Sequence, residues 1–383
     1  MTVAAAVDTA ASAAQEKRAA RLDAVIDSAI RDGVIVGAVV LVAEDGKLAY
    51  RRTAGHADRE AGRRTTEDTI FRLASVTKPL VAAAALSLAE TGVIGLDDPV
   101  TRFLPDFRPK LADGSEPVIT IRHLLTHTSG LIYGYPKEAG ISEGLDQPGR
   151  GMAENLAKIA AQPLAFAPGT SWYYSVGIDV LGGLLEKATG KSLPDIVASQ
   201  VTKPLGLSDT GFLPSDPARL AVAYADGDPR PTPMADHQAV TGLAIEGTIN
   251  FAPNRNFDPN SFPSGGAGMF GTAGDFLTFL EAMRKGGAPV LSAESLALLS
   301  QNAIGSFDTG VPGRGFSLGW SITHDPAAGA SPFSPGTWQW GGVYGHSWFV
   351  DPVRKLSVVS FSNTAFAGVA GPYPEAVKAA VYG

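Results

Sequence analysis

The chain has 383 residues, of which 45% are hydrophobic and 18% charged, so it suits a globular protein with one large α/β unit or two domains. Its net charge of −7 argues against a nucleic-acid partner, and its lack of cysteine excludes disulfides, thiolate metal sites and a cysteine nucleophile. No apolar run reaches the roughly 18 residues of a membrane-spanning helix. The N-terminal segment lacks the pattern of a secretory signal, and we therefore expect a cytoplasmic protein that does not associate with a membrane.

The first part of the chain predicts a helix followed by a β-hairpin. Apolar residues recur at helical spacing over residues 15–32, which indicates an amphipathic helix. Two β-rich runs follow, 34–43 and 47–53, and the Asp45-Gly46 pair between them is typical of a tight hairpin turn.

The last part of the chain predicts strands that complete the same sheet. Three β-rich runs there are interpreted as strands: 338–340, 347–350 and 356–362. A final helix is predicted over residues 375–381. Because helices and strands occur at both ends, we expect one antiparallel sheet built from both ends of the sequence and flanked by the terminal helices.

The middle of the chain predicts a helical unit with long loops. Ala-rich and Leu-rich stretches there are interrupted by prolines and glycines. We assign residues 80–186 to a mostly helical domain, and residues 1–79 with 187–383 to a discontinuous α/β domain. The polar, proline-bearing stretch 222–262 is predicted to be mainly loop.

The sequence Ser75-Val-Thr-Lys78 has S-x-x-K spacing and precedes a run of helix formers. Residues three apart on a helix are neighbours, with about 5–6 Å between their Cβ atoms, so the Lys78 amine can reach the Ser75 hydroxyl. Pro79 has no N–H to donate, which indicates that the helix begins near Ser75, where free backbone N–H groups favour an oxyanion. The motif alone is weak, because a capping serine and a surface lysine give the same spacing.

Further short blocks follow in chain order. They are Thr126-His127-Thr128-Ser129-Gly130-Leu131, Pro168-Gly169-Thr170 before Tyr173-Tyr174-Ser175, Ser264-Gly265-Gly266-Ala267-Gly268-Met269, and Trp340-Gly341-Gly342. Together with the S-x-x-K motif, they resemble the class C β-lactamase-like branch of the serine β-lactamase and penicillin-binding protein superfamily, and within it the family VIII carboxylesterases. The resemblance covers nearly the whole chain. It implies an α/β fold of the serine β-lactamase type, an antiparallel sheet flanked by helices with a second, mostly helical domain.

The resemblance also implies a role for three side chains. Ser75 corresponds to the acylated nucleophile, Lys78 to its general base or proton relay, and Tyr174 to a tyrosine that hydrogen-bonds both and protonates the leaving alcohol. The backbone N–H groups of Ser75 and Val343 are expected to form the oxyanion hole. No metal or cofactor is implied.

Two departures from the superfamily pattern bear on the substrate. The cationic residue of its third motif is replaced by Trp340, which is followed by Gly341 and Gly342, and the asparagine of its Tyr-x-Asn motif is replaced by Val176. Relatives use that cation for the carboxylate of a penicillin or peptide and that asparagine for an amide. Their loss favours uncharged small-molecule esters with short acyl groups, while weak action on cephalosporins and acyl transfer to other alcohols stay open.

Several other residues are candidates for the substrate pocket. Tyr133 and His346 are expected to contact the substrate beside Trp340, although strand alternation does not decide the face on which His346 lies. The other tryptophans considered for the pocket are Trp172, Trp338 and Trp348. Tyr173 is predicted to be a core aromatic residue.

Two motifs suggest other chemistry. Gly140-Ile-Ser142-Glu-Gly144 matches the nucleophile elbow of α/β-hydrolases, but that motif needs a preceding strand and a following helix, and this copy lies among turn residues. His123 and His127 have the spacing of a zinc pair, but the glutamate after the first histidine and a third ligand are missing. We therefore interpret the G-x-S-x-G motif and the histidine pair as structural.

The sequence leaves alternatives to the esterase. A β-lactamase or D-aminopeptidase acting on amides shares the fold, and a non-catalytic penicillin-binding-like protein would retain the fold without turnover. The natural ester, the preferred enantiomer and the oligomeric state, monomer or homodimer, are left open.

Overall fold

The computed structural model describes residues 3–241 and 247–383. The chain begins with helix α1 (Val3–Arg31), longer at its N-terminal end than predicted, and continues into the hairpin of β1 (Gly37–Glu44) and β2 (Lys47–Asp58). Asp45 and Gly46 have φ values of 49° and 83°, as a tight hairpin turn between right-twisted strands requires. The Asp-Gly signal therefore identified this turn correctly.

The remaining strands and helices follow in chain order. The strands are β3 (Arg63–Arg64), β4 (Phe71–Arg72), β5 (Tyr224–Ala225), β6 (Thr232–Pro233), β7 (Gln238–Thr241), β8 (Thr248–Phe251), β9 (Phe270–Gly271), β10 (Arg314–Phe316), β11 (Ser321–Thr323), β12 (Thr337–Gly342), β13 (His346–Asp351) and β14 (Leu356–Ser362). The helices are α2 (Thr77–Glu90), α3 (Ile121–Leu125), α4 (Met152–Ala160), α5 (Gly177–Thr189), α6 (Leu193–Val197), α7 (Ala273–Arg284), α8 (Ala293–Leu299), α9 (Ala365–Val369) and α10 (Pro372–Tyr382).

The large sheet joins the two ends of the chain. Its strand order is β10-β11-β12-β13-β14-β1-β2-β3, and every neighbouring pair is antiparallel. The predicted single antiparallel sheet is confirmed. Strands β10 and β11 were not predicted, because three residues are too few to display the alternation that identifies a strand.

Helices cover both faces of this sheet. On one face α1 and α10 pack against the strands, with Leu22, Val40, Phe349 and Val377 in one buried cluster. On the other face α7 and the helical part of the molecule cover the sheet, and every residue of α2 from Thr77 to Leu86 is buried. Because α2 is surrounded by other elements, it is apolar on all sides and rich in alanine.

The helical part of the molecule extends beyond its predicted end. Helix α6 packs against α2 and α5, so the helical cluster continues past residue 186. Residues 222–241 and 247–262 contain two short two-stranded ribbons, β5-β6 and β7-β8, joined by loops; the rest of the predicted loop stretch, 242–246, lies outside the described residues. Within the described part of the chain, no helix has the length and apolar character to cross a membrane.

Candidate active site

Ser75 and Lys78 lie at the start of α2, as their spacing predicted. Ser75 belongs to a 3-10 turn, Ala74–Val76, that runs directly into the helix. The Nζ atom of Lys78 lies 3.2 Å from Ser75 Oγ, and the lysine side chain is buried. Ala74, the residue before Ser75, has a φ of 46°, a strained conformation for a residue with a Cβ atom and one that recurs at functional sites.

Lys78 has two further hydrogen-bond partners besides Ser75. Its Nζ donates to the hydroxyl oxygen of Tyr133 at 3.1 Å and to the carbonyl oxygen of Gly266 at 2.8 Å. The same nitrogen lies 4.6 Å from the centre of the Tyr174 ring. The contacts to Tyr133 and Gly266 hold the amine in one position beside the Ser75 hydroxyl.

Tyr174 lies beside this pair and lines the same cavity as Ser75. Its ring packs against those of His127, Tyr133 and Trp340, and its hydroxyl oxygen accepts a hydrogen bond of 3.4 Å from Trp340 Nε1. The Tyr174 hydroxyl was also predicted to form hydrogen bonds with Ser75 and Lys78. Among the described residues neither bond is formed. Tyr173 is 51% exposed, so the prediction that it belongs to the core is wrong.

Tyr133 occupies a different position from the one predicted. Its hydroxyl was expected to face the substrate in front of Ser75, but it contacts the Lys78 amine. Burial raises the pKa of Tyr133 well above its usual value of 10, so this phenol keeps its proton at neutral pH. It is a partner of the lysine, and it is not among the residues that line the cavity beside Ser75.

The third motif lies next to Ser75 because two of its residues, Gly341 and Gly342, have no side chain. A Cβ atom on Gly342 would lie 2.2 Å from the carbonyl oxygen of Leu73, and one on Gly341 would lie 2.5 Å from both His346 O and Val369 Cγ2. The two glycines let the end of β12 approach the turn that carries Ser75. Among the described residues, the N–H groups of Ser75 and Val343 have no hydrogen-bond partner, and both residues line the cavity.

The cavity in front of Ser75 has a volume of about 340 Å³. Trp340, Trp348 and Gly341 line it with Ser75 and Tyr174, while Trp172 and Trp338 do not. Trp172 instead packs on Phe316, and Trp338 packs on Trp320.

His346 faces away from this cavity, which corrects the prediction that it contacts the substrate. Its Nε2 donates to the carbonyl oxygen of Arg72 at 2.7 Å, and its ring packs between Phe71 and Phe361 in the core. The Arg72 carbonyl fixes the tautomer, since it can only accept a hydrogen bond. Burial lowers the pKa of His346 to about 4.

The buried, neutral His346 predicts acid sensitivity. The unfolded chain binds a proton at this residue below pH about 6.5 and the folded chain does not, so the free energy of unfolding falls as the pH drops toward 4, by up to about 3 kcal/mol from this group. Chemical denaturation at neutral and mildly acidic pH measures the change. His346→Gln, which can still donate to Arg72, is expected to lose less stability over that range. An equal loss in both proteins would contradict the assignment.

The two alternative motifs have structural roles. Ser142 is buried in a loop, and its hydroxyl donates to the carbonyl oxygen of Asp146 at 2.9 Å. His123 Nδ1 accepts from the N–H of Thr120 at the start of α3, and His127 Nδ1 lies 3.1 Å from Ser175 Oγ. No group of side chains in the described ranges, 3–241 and 247–383, is arranged to hold a metal ion.

Asp179, Ser264 and Gly266 support Lys78, and the sequence predicted no role for them. Asp179, buried in the first turn of α5, accepts hydrogen bonds from Ser264 Oγ at 2.5 Å and from the N–H of Gly266 at 3.1 Å. The carbonyl of Gly266 is the group that accepts from Lys78. The only sequence feature that pointed to this region was the glycine-rich block at 264–269. A glycine has no side chain from which a contact of its backbone carbonyl with Lys78 could be predicted.

Comparison with known proteins agrees with this geometry. Residues 22–381 match the family model described as Beta-lactamase, and the chain belongs to that family. Esterase EstB of Burkholderia gladioli is 50% identical over the full length of both chains. The solved structure of EstCE1, a hydrolase with promiscuous acyltransferase activity, is 43% identical, has a TM-score of 0.93, and matches 97% of this chain and 100% of its own.

More distant likeness concerns the fold alone. Simvastatin synthase from Aspergillus terreus is 24% identical, with a TM-score of 0.73, and the match spans 100% of this chain and 98% of the synthase. The family model and the 50% and 43% identical relatives confirm the resemblance to β-lactamase-like carboxylesterases stated from the sequence motifs.

Proposed function

We propose that this chain is a serine carboxylesterase that hydrolyses esters with short acyl groups through a Ser75 acyl-enzyme. The observation that carries the proposal is the buried Lys78 amine, 3.2 Å from an Oγ atom that lines the cavity. A lysine held at that distance can take the serine proton as the oxygen attacks, which is the activation that a serine nucleophile needs. The likeness to Esterase EstB supports the same class of reaction.

The proposed reaction has two halves. Ser75 Oγ attacks the ester carbonyl carbon while its proton passes to Lys78 Nζ, and the N–H groups of Ser75 and Val343 receive the oxyanion. The C–O bond to the alcohol then breaks, and the leaving oxygen takes a proton through Tyr174, which Lys78 resupplies. In the second half, a water molecule attacks the acyl carbon while its proton passes to Lys78 Nζ; the bond from that carbon to Ser75 Oγ breaks, Ser75 regains the proton from Lys78, and the acid is released.

Tyr174 is the side chain placed to serve the leaving alcohol. It lines the cavity with Ser75, whereas Tyr133 contacts the lysine outside the cavity. A small shift of the Tyr174 hydroxyl from Trp340 Nε1 toward the lysine and the leaving oxygen would complete the relay, since such contacts often tighten only when substrate binds.

Esters and β-lactams distinguish this proposal from its alternatives. With Trp340 in place of a cation and Val176 in place of an asparagine, p-nitrophenyl acetate and butyrate are expected to be hydrolysed with a kcat/KM well above that of nitrocefin. Measuring all three on the same preparation provides the test. Faster turnover of nitrocefin would favour the β-lactamase alternative, and the absence of turnover together with no covalent phosphonate adduct on Ser75 would favour a binding protein.

Acyl transfer is a second activity of the same intermediate. The 43% identical structure belongs to a hydrolase described as having promiscuous acyltransferase activity. An acyl-enzyme partitions between water and any alcohol that binds in the leaving-group position. Adding a primary alcohol to the butyrate assay is expected to divert part of the acyl group to a new ester, which chromatography detects.

The cytoplasmic location stays a prediction.

A further inference from the structure

The cavity that begins at Ser75 ends among charged side chains. Close to Ser75 its walls are Tyr174, Trp340 and Val343, and at its other end they are Arg314, Glu375 and Lys378. This second end was not expected from the sequence, which offered no cation at the third motif. The charged groups come instead from β10, the edge strand of the sheet, and from α10.

Part of the cavity floor is made of small residues. Gly341 on β12 pairs with Ser347 on β13, which pairs with Ser360 on β14, and all three line the cavity. The turn between α9 and α10 forms the opposite wall. Gln339 on β12 continues the lining toward β10, because it pairs with Ser321 on β11, which in turn pairs with Phe316 on β10.

Arg314 is the side chain at the far end that lacks a partner. Its guanidinium makes no hydrogen bond or ion pair with any of the described residues, although it is half-buried. Burial lowers the pKa of Arg314, whereas the negative charge of Glu375 acts in the opposite direction. Partial burial removes some of the water that would solvate the guanidinium, so an unpaired arginine in a cavity wall is a place for an anionic ligand.

The charges around Arg314 leave a positive excess. Lys378 pairs with Glu375 at 2.6 Å and lies over the ring of Phe333, with its ammonium 5.0 Å from the ring centre. The Glu375 side chain is 64% exposed, so its own charge is largely screened by solvent. Among the residues that line this cavity, two cations therefore face one solvated carboxylate, and the next acidic side chain, the exposed Asp325, lines only the adjoining pocket.

We propose that the cavity binds esters that carry a second, anionic group, and that Arg314 pairs with this carboxylate while the ester carbonyl lies at Ser75. A guanidinium suits a carboxylate because it donates two parallel hydrogen bonds. Arg314 on β10 is aligned, through Thr323 on β11, with Thr337 on β12, which is four residues before Gly341. Ordinary strand spacings then put the backbones of Arg314 and Gly341 roughly 16 Å apart. A separation of this size requires a chain of medium length between the ester carbonyl and the carboxylate, so the substrate is a medium-chain dicarboxylic monoester or the ester of an ω-hydroxy acid.

This inference rests on the proposed esterase function and adds to it. Replacing the third-motif cation by Trp340 removes the charge next to the nucleophile, and Arg314 supplies one farther away. The neutral short esters still fit the end of the cavity near Ser75, whereas the carboxylate adds binding only to a chain long enough to reach β10.

The experiment compares charged and neutral esters of equal length in Arg314→Gln. The acyl arm uses the mono-p-nitrophenyl ester of suberic acid against p-nitrophenyl octanoate, and the alcohol arm uses an acetylated ω-hydroxyalkanoic acid against the acetate of the alcohol of equal length. In each arm kcat and KM are measured. The ratio of kcat/KM for the charged ester to that for the neutral ester is expected to fall about ten- to hundred-fold in at least one arm, mainly through KM.

Arg108→Gln is the matched control, because it removes the same charge from a side chain that is 55% exposed and does not line this cavity. Its ratio is expected to equal that of the parent protein. A fall in one arm alone assigns the carboxylate to the acyl or the alcohol side of the ester. Unchanged ratios in both arms, with the neutral esters hydrolysed, would overturn the inference but leave the esterase. No hydrolysis of any ester by the parent protein would instead contradict the proposed function, and with it this inference.

Discussion

Ser75→Ala is expected to lower hydrolysis of a butyrate ester by roughly a thousandfold or more and to abolish covalent labelling by an organophosphonate. The reason is that the acyl-enzyme cannot form without the Ser75 oxygen, while the cavity and the backbone donors remain. Alanine differs from serine by one oxygen atom and fits the same turn. Initial rates and the mass of the peptide that contains residue 75 provide the two measurements.

Ser142→Ala is the control for this result. Ser142 is the serine of the G-x-S-x-G sequence, but it is buried and its hydroxyl is hydrogen-bonded to the Asp146 carbonyl. We expect Ser142→Ala to lose some stability and to keep its turnover and its labelling as long as it is folded, which circular dichroism verifies. Loss of activity in folded Ser142→Ala, with Ser75→Ala unaffected, would transfer the nucleophile to the other motif.

Two tyrosines contact Lys78, and replacing each with phenylalanine is expected to have different effects. Tyr174→Phe removes the hydroxyl that lies in the cavity beside Ser75 and is expected to lower kcat by roughly 10²- to 10⁴-fold, the usual contribution of a general acid or base. Tyr133→Phe removes one acceptor from the Lys78 amine and is expected to cost about tenfold or less, because Ser75 and Gly266 still hold the lysine.

The leaving group provides a second readout for this pair. A p-nitrophenolate leaves without protonation, whereas an alkoxide must be protonated as it leaves. Tyr174→Phe is therefore expected to lower the rate of hydrolysis of an alkyl butyrate more than that of p-nitrophenyl butyrate. Tyr133→Phe is expected to affect both esters equally. If the larger and leaving-group-dependent loss appears in Tyr133→Phe, the roles of the two tyrosines are exchanged.

The local parts of the site could be predicted from the sequence. The contact between Ser75 and Lys78 depends on three-residue spacing in a helical turn, and the hairpin at Asp45-Gly46 depends on two residues with positive φ. The strands near both ends were long enough to be recognised by composition. The order of the motif blocks along the chain identified the family, and Tyr174 and Val343, both taken from that resemblance, line the cavity with Ser75.

Contacts between distant segments could not be predicted in the same way. Tyr133 was expected beside the substrate and contacts Lys78, and His346 was expected to face the cavity and lies in the core against Arg72. Alternation along a strand gives two faces but does not say which is buried, and a loop tyrosine carries no period at all. Strands β10 and β11, only three residues each, were missed for a related reason.

The sequence by itself determined the chemistry available. It contains no cysteine, and one helical turn brings Lys78 to Ser75, the pair that the family resemblance interprets as base and nucleophile. Only the tertiary structure decided what surrounds the pair. Counted along the sequence from Lys78, Tyr133 is 55 residues away, Gly266 is 188 and Arg314 is 236. They come together in a chain whose two ends form one sheet. Their positions depend on how strands and helices pack, and packing is a property of the whole chain rather than of any one segment.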